Sequence, residues 1–466
     1  MISRPLRRHA PFLGLSLAAL LCWTPAAAQN WSGDARRIAM GGVGTGDNLA
    51  SKAIEEEHDY RVIVIPLGLF QVLRDLDVFD PGSDEFDLVR AVEYAASPLH
   101  YTVGRDDGRT TVSFVNDLRN AQLNRNLKTY RGFVPVTQPV SYGLANPSFG
   151  VTIPVYRSDG ARHGIFVGAG PYLAMRADLN VDPVLVSVLD PDVDAAVPPN
   201  AALPIGSDVR GEAALAITGG YRGHFAFAGG TTSEREGLYV ALNYSYLRGF
   251  RMEEGDILMR FDTDANGELI VNPFLPAPLS IARTTSTRGS GRAIDFGVAA
   301  VVQNWEVGFG VNGVANQIEW TDVEGTPYVL GNLFGGGDFV EGDALPLPDV
   351  TLKQPVEYIG NVGYRTGPWS AVAQLSKKVT DDPRDEDRLN DVTFRVGTEY
   401  RFLVLEPRAG AYYTRERWQP AAGLGINLGA FGIDGAVYWT DANVERERKA
   451  TFALSLRIGR KNPLAN

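Results

Sequence analysis

The residues able to do chemistry are few and scattered. Past the leading segment the histidines are His58, His100, His163 and His224, and no two stand at ligand spacing. A histidine-held catalytic metal therefore finds no support. No Gly-x-Ser-x-Gly elbow and no phosphate loop occurs, and Gly335-Gly336-Gly337 lacks the lysine and following helix such a loop needs. That triplet reads as an outer loop. Asp262-Thr263-Asp264-Ala265-Asn266-Gly267-Glu268 opens as a calcium loop opens, with oxygens of Asp262, Asp264 and Asn266 at alternate positions before a glycine. A hard cation wants several oxygens around a sharp turn. The twelfth position is Pro273, where a bidentate Glu is required, so an Asn-Gly turn tip is the better reading. No metal, no cofactor and no enzymatic activity is assigned.

The charges that could act together sit on alternating segments. Val392, Phe394, Val396, Thr398 and Tyr400 share one face, with Arg395, Gly397 and Glu399 on the other. Leu403, Leu405, Pro407, Ala409, Ala411 and Tyr413 oppose Glu406, Arg408 and Gly410. Phe431, Ile433, Val437 and Trp439 oppose Asp434 and Ala436, and Phe452, Leu454, Leu456 and Ile458 oppose Arg457. A period of 2 is that of a strand with unlike faces. In a soluble barrel the apolar face points inward; in a membrane barrel it points to lipid and the polar face lines the lumen. On the membrane reading Asp295, Glu306, Arg395, Glu399, Arg401, Glu406, Arg408 and Arg457 line the lumen. They form a polar conduit or ligand contact, or else ion pairs that hold barrel and plug together. The cost of an unpaired buried charge favours the pairs.

Three features choose the membrane. The segments run to about 10–14 residues, where soluble strands average 5–6 and a membrane strand needs about 9–11. Trp305, Trp369, Trp418 and Trp439 stand at segment ends, as an aromatic girdle requires. Tight turns (Gln303-Asn304, Thr366-Gly367-Pro368, Gly429-Ala430) alternate with long carboxylate-bearing loops at 182–207, 325–349 and 381–389. Short inner turns and long outer loops are the habit of membrane barrels. Segments near 148–157, 163–178, 211–226, 236–249, 255–263, 291–302, 305–319, 353–365, 369–379, 390–401, 403–415, 418–428, 431–440 and 450–459 bring the expectation to about 14 strands.

The front of the chain sets the compartment. Arg4, Arg7 and Arg8, an apolar run from Pro11 to Trp23, and Pro25-Ala26-Ala27-Ala28-Gln29 compose a secretory signal with cleavage expected after Ala28. Cys22 is the only cysteine and lies inside it, so the remaining chain holds no thiol for a disulfide. Loss of those three arginines takes the formal charge of −11 to −14, against nucleic acid as a partner. Fifty-one glycines with common aromatics suit an all-β membrane protein. The expected organisation is a signal at 1–28, an N-terminal plug or periplasmic segment at 29–140, and the barrel at 141–466. Within the second part, 61–67 reads as a strand and 86–94 as a short helix, so that 67–96 could form a helical hairpin.

Two patches resemble a known family. Ala35-Arg36-Arg37-Ile38-Ala39-Met40-Gly41-Gly42-Val43-Gly44 resembles the start of mature proteins in the FadL-like long-chain fatty acid transporter superfamily, which includes PorV-like and TraF-like branches. The closing hairpins resemble it too, in Phe394–Tyr400, Pro407–Tyr413 and Ala422–Asn427. Asn146-Pro147-Ser148 stands only near the family's Asn-Pro-Ala plug motif. The resemblance implies an all-β, transmembrane antiparallel β-barrel of 14 strands whose N-terminal segment folds into the lumen as a plug. It implies residence in the cell outer membrane among its lipid, and a hydrophobic small molecule, lipid or fatty-acid-like, bound inside or passed across. The alternative from the other branches is a structural or assembly component that anchors a partner complex; no protein partner is named by the residues.

Overall fold

The computed structural model describes residues 34–43, 47–58, 60–67, 99–106, 109–114, 140–145, 149–158, 160–182, 184, 198–227, 233–268, 279–330, 339–380, 392–414, 417–441 and 448–461. The expected signal, the helical reading of 86–94 and Gly335–Gly337 lie outside them. Two helices come first, α1 (Ala35–Ala39) and α2 (Leu49–His58). Strands then follow in three runs. The first holds β1 (Tyr60–Pro66), β2 (Leu99–Asp106), β3 (Arg109–Phe114), β4 (Val140–Ala145), β5 (Phe149–Arg157), β6 (Ala161–Val181), β7 (Ala202–Phe225) and β8 (Gly237–Asp262). The second holds β9 (Leu279–Ser286), β10 (Arg288–Val302), β11 (Trp305–Thr321), β12 (Val323–Leu330), β13 (Phe339–Glu341), β14 (Leu345–Leu347) and β15 (Val350–Lys353). The third holds β16 (Val356–Thr366), β17 (Trp369–Val379), β18 (Val392–Tyr400), β19 (Leu405–Thr414), β20 (Arg417–Asn427), β21 (Phe431–Asp441) and β22 (Arg448–Lys461).

All of these strands belong to one sheet. The wall runs β5-β6-β7-β8-β10-β11-β16 and then strand by strand to β22, every neighbour antiparallel. The segments expected at 236–249 and 255–263 are one strand, β8, because the backbone stays extended through Phe250 and Arg251 and a register shift against Ala213/Ala214 absorbs the irregularity. The last place in the wall is taken from the front of the chain. Outside β22, β1 pairs with Ser455–Lys461 and β2 with Ala450–Leu454. β9, β12, β13 and β14 build an annex on the far end of β8, and β15 pairs with the far end of β11.

The sheet is curled. α1 packs on β19, β20, β21 and β22, while α2 packs on β8, β10, β11 and β1, so one short stretch of chain touches the β22 end of the wall and strands from its middle. The Tyr172 hydroxyl of β6 reaches Asn316 of β11 at 3.0 Å across the concave side. Among the described residues no ladder joins β1 or β3 to β4 or β5; α2 lies by that seam, touching β1 and, through Glu57, bonding Arg162 of β6 at 2.7 Å.

The convex face is apolar and exposed. Ile165, Val167, Leu215, Ile217, Leu242, Tyr244, Val307, Phe309, Val362, Leu375, Leu424 and Ile433 all point outward. The concave face buries Glu306, Glu357, Glu399, Glu406, Arg408, Asp434 and many amides and hydroxyls. That is the inverse of a soluble barrel. Water would penalise the outer face and leave the inner one starved of an apolar core. On β11 the outward apolar run is Trp305, Val307, Phe309 and Val314, about ten residues long, as a bilayer crossing requires. β7 and β8 run 24 and 26 residues, about 80 Å at 3.3 Å per residue, and so continue far beyond that band on the side away from the tight turns.

Candidate functional site

The concave face carries two chemically distinct zones. The first is a charged cluster at the tight-turn end. β18 places Glu399 inward, β19 places Glu406 and Arg408, β21 places Asp434 and β22 places Arg457, each because period 2 turns alternate side chains to the lumen. Arg408 is wholly buried and binds all three carboxylates: Nε donates to Glu399 Oε2 at 2.6 Å, Nη1 to Asp434 Oδ1 at 2.6 Å, and Nη2 to Glu406 Oε2. Arg457 donates to Glu406 Oε2 at 2.8 Å and pairs with Asp434 at 3.3 Å. Arg401 donates to Glu399 Oε1 at 3.0 Å. Asn427 donates to the remaining oxygen of Glu406 at 3.0 Å.

The N-terminal segment enters this cluster. Arg36 of α1 grips Glu399 through Nε at 2.8 Å and Nη2 at 3.3 Å, the paired fork that suits a carboxylate. Three arginines thus meet on Glu399. Asp34 caps α1, accepting from Arg36 N at 2.8 Å, and Ala35 N donates to Ser455 Oγ of β22 at 3.0 Å. Arg37 binds Asp47 and also donates to the Gly42 carbonyl at 3.0 Å, closing the segment on itself.

Glycine makes the docking possible. Gly397, Gly410 and Gly423 lie on β18, β19 and β20, and a Cβ at any of them would fall onto Met40, Gly41 or Ala39. Gly297, Gly308 and Gly310 serve Asn48 in the same way on β10 and β11. Asn48 sits at the start of α2 with its Oδ1 accepting from Ala50 N at 2.9 Å, and its Nδ2 donates to Asn361 Oδ1 of β16 at 2.9 Å. Leu49, Ala50 and Ile54 then pack on Tyr239, Ala241, Ala299 and Val301. The two sequence patches that resemble one family, the first through its described residues 35–43 and the second in the closing hairpins, are therefore the two sides of one contact.

The second zone lies higher, at the far edge of the lipid-facing band. Tyr172, Ala174, Ala214, Ala216, Leu247, Met252, Ala293, Ile318, Trp320, Val323 and Leu352 form an apolar cluster on the concave side. The Trp320 ring occupies the space left by Gly249 and Gly289, in register with it across β8 and β10. Beyond it the strand extensions turn polar again. Asp208, Glu254 and Asp256 bring carboxylate oxygens within 4.8 Å of one another, with Arg210 bound to Glu254 and Arg176 3.4 Å from Asp208. Asp208 lies seven residues past the outward Leu215, about 23 Å along the strand and outside the band. Burial pushes its carboxyl up to about 6, helped by Glu254 and Asp256 and opposed by Arg210 and Arg176.

Of the eight charges expected in the lumen, five converge: Glu399, Arg401, Glu406, Arg408 and Arg457. The other three stand apart. Glu306 pairs with Arg235 at 3.1 Å, Asp295 accepts from Gly313 N at 2.8 Å, and Arg395 donates to Ser376 Oγ at 3.1 Å. Sequence reasoning left out Asp434, although its alternation was plain, and Arg36, which sits inside a quoted motif without a strand to orient it. At the girdle positions, Trp305 and Trp369 flank Tyr364 at 4.7 and 5.6 Å beside the tight turns. Trp418 packs on Tyr413 and Phe394 at the opposite end of its hairpin. Trp439 registers with Ala450 at that same end. In the loop at 262–268 the oxygens are turned to other use. Asp264 Oδ1 accepts from Asn266 N and Glu268 N, both at 2.8 Å, and Asp262 pairs with Arg260 at 2.8 Å.

An apolar convex band, buried charge within and tight turns at one end define the class as an all-β, antiparallel barrel of the membrane type. No family model matches the sequence, and no curated protein matches it. Among solved structures the chain is similar to the toluene transporter TbuX of Ralstonia pickettii, at 10% identity and a TM-score of 0.38, over 95% of this chain and 99% of that one. It is also similar to the toluene transporter TodX of Pseudomonas putida, at 9% identity and a TM-score of 0.32, over 94% and 96%. OccK9 of Pseudomonas aeruginosa follows at 11% identity and a TM-score of 0.22, over 70% and 98%.

Proposed function

We propose that this protein resides in the outer membrane and binds or passes hydrophobic small molecules, of lipid or hydrocarbon character, through its lumen. Export rests on the signal read in residues 1–28. The observation that carries the cargo class is the apolar cluster around Trp320 on the concave face, which the described residues of the plug do not cover, unlike the apolar residues under α1 and α2. An apolar molecule leaving water gains about 25 cal/mol for each Å² it buries, so the cluster, now packed on itself, attracts such a molecule when its side chains part to admit it. Residues 34–58 then act as a plug, and the cluster centred on Arg408 is its anchor. The reading as an assembly component draws on the density of bonds between that plug and the wall.

Vesicles rebuilt with the full chain, offered radiolabelled toluene or oleate, separate the two. Faster entry of at least one probe is expected, and its loss in Met252→Arg with heat-modifiable gel migration retained. Entry of both at the rate of protein-free vesicles would overturn passage and favour the assembly role.

A further inference from the structure

The tight turns of the wall share a design. Gln303, Gly367, Leu403 and Gly429 each hold the left-handed backbone conformation, with φ of 53°, 51°, 56° and 86°. Glycine adopts it without strain and a polar residue at modest cost, but a branched apolar side chain there is strongly disfavoured. Leu403 is the exception among the four, and 88% of its surface is exposed. Its neighbours compound the anomaly. Phe402, Val404 and Leu405 are exposed as well, in a turn that carries Arg401 and no carboxylate. The corresponding tips are Gln303-Asn304 and Gly367-Pro368. An outlier maintained against backbone preference points to use of the side chain.

The tip is continuous with the lipid-facing surface. Tyr400, Leu405, Ile426, Leu428, Phe431 and Ile433 carry the exposed apolar face up to it from both hairpins. Residues 402–404 extend that face past the aromatic row of Trp305, Tyr364 and Trp369. We propose that the β18–β19 turn is a lipid wedge: Phe402, Leu403 and Val404 insert among the acyl chains of the inner leaflet, while Arg401 stays turned to the lumen on Glu399. This rests on the membrane reading above. It makes the rim uneven, with the turns at 303–304 and 367–368 in water and the turn at 402–404 in hydrocarbon.

Spin labels on cysteine read the depth directly. In a Cys22→Ser background, Leu403→Cys, Gln303→Cys and Leu375→Cys would be refolded into vesicles of phosphatidylethanolamine and phosphatidylglycerol. Collisions with oxygen, which concentrates in hydrocarbon, are compared with those of a water-soluble nickel chelate. The oxygen-to-nickel ratio at 403 should rise well above that at 303 and approach that at 375. Val404→Cys gives the same reading if a label at 403 blocks assembly. A ratio at 403 equal to that at 303, with 375 still rich in oxygen, overturns the wedge, leaves the membrane reading intact and marks the turn as a surface for a soluble partner. Nickel access at 375 as well overturns both.

Discussion

Arg408 shows how much rests on a single side chain. It is wholly buried and is the shared partner of Glu399, Glu406 and Asp434. Arg408→Met leaves three carboxylates around an uncharged side chain. Breaking a buried pair by deleting one partner costs about 3–5 kcal/mol. We expect the variant to lose its heat-resistant compact form at a clearly lower temperature than Arg401→Met, whose guanidinium is partly exposed. Equal midpoints for the two would place the stabilising role elsewhere. The inward direction of Arg408 was legible, because alternation needs only the neighbours in the chain. Its partners were not: Glu399 and Asp434 come from two other strands, and the register that aligns them is set by turns and pairing across the sheet.

At the scale of elements, the decisive contact is between α1 with its following turn and the glycines of β18, β19 and β20. α1 has five residues, too few to stand as a helix in water. It holds its shape because Gly397, Gly410 and Gly423 let the backbone lie against the wall and because Arg36 is gripped by Glu399. Gly410→Val puts branched carbon where Met40 and Gly41 now lie. We expect the barrel to keep its heat-modifiable migration while trypsin cuts after Arg36 and Arg37 much faster than in the parent. Unchanged cleavage would mean that the segment is held by its ion pairs without the glycine row. The wall strands β5–β8, β10, β11 and β16–β22 were readable, whereas β2–β4, β9 and β12–β15 were not expected, β12–β14 falling in a stretch read as one long loop, and β8 was split into two. That error has a physical source, since Glu253, Glu254 and Gly255 look like a turn in sequence but lie in an extension long enough to leave the membrane.

For the whole molecule the question is which side of the sheet faces apolar surroundings. Phe309 lies outward in the middle of the β11 band and is almost half exposed. In a soluble protein Phe309→Arg would be nearly neutral. In a bilayer an arginine facing lipid near the midplane costs about 2–4 kcal/mol, and close to the interface about 0–1. Urea unfolding from vesicles should therefore show a large loss for Phe309→Arg and a small one for Gln303→Arg at the tight turn. Two small losses would contradict the membrane orientation.

The sequence by itself determined the strand class, the alternation of apolar and charged faces and the positions of the tight turns. All of these are local, arising from period 2 and from backbone preferences over a few residues. Only the tertiary structure decided that the front of the chain supplies β1 and β2 to the wall and that residues 34–43 and 47–58 sit in the concavity. It also decided that Leu403 stands out at the tip of its turn. These depend on the curl of the sheet and on long-range pairing between residues hundreds of positions apart, such as Arg36 with Glu399 and Tyr60 with Lys461. No window of sequence contains both partners of such a contact.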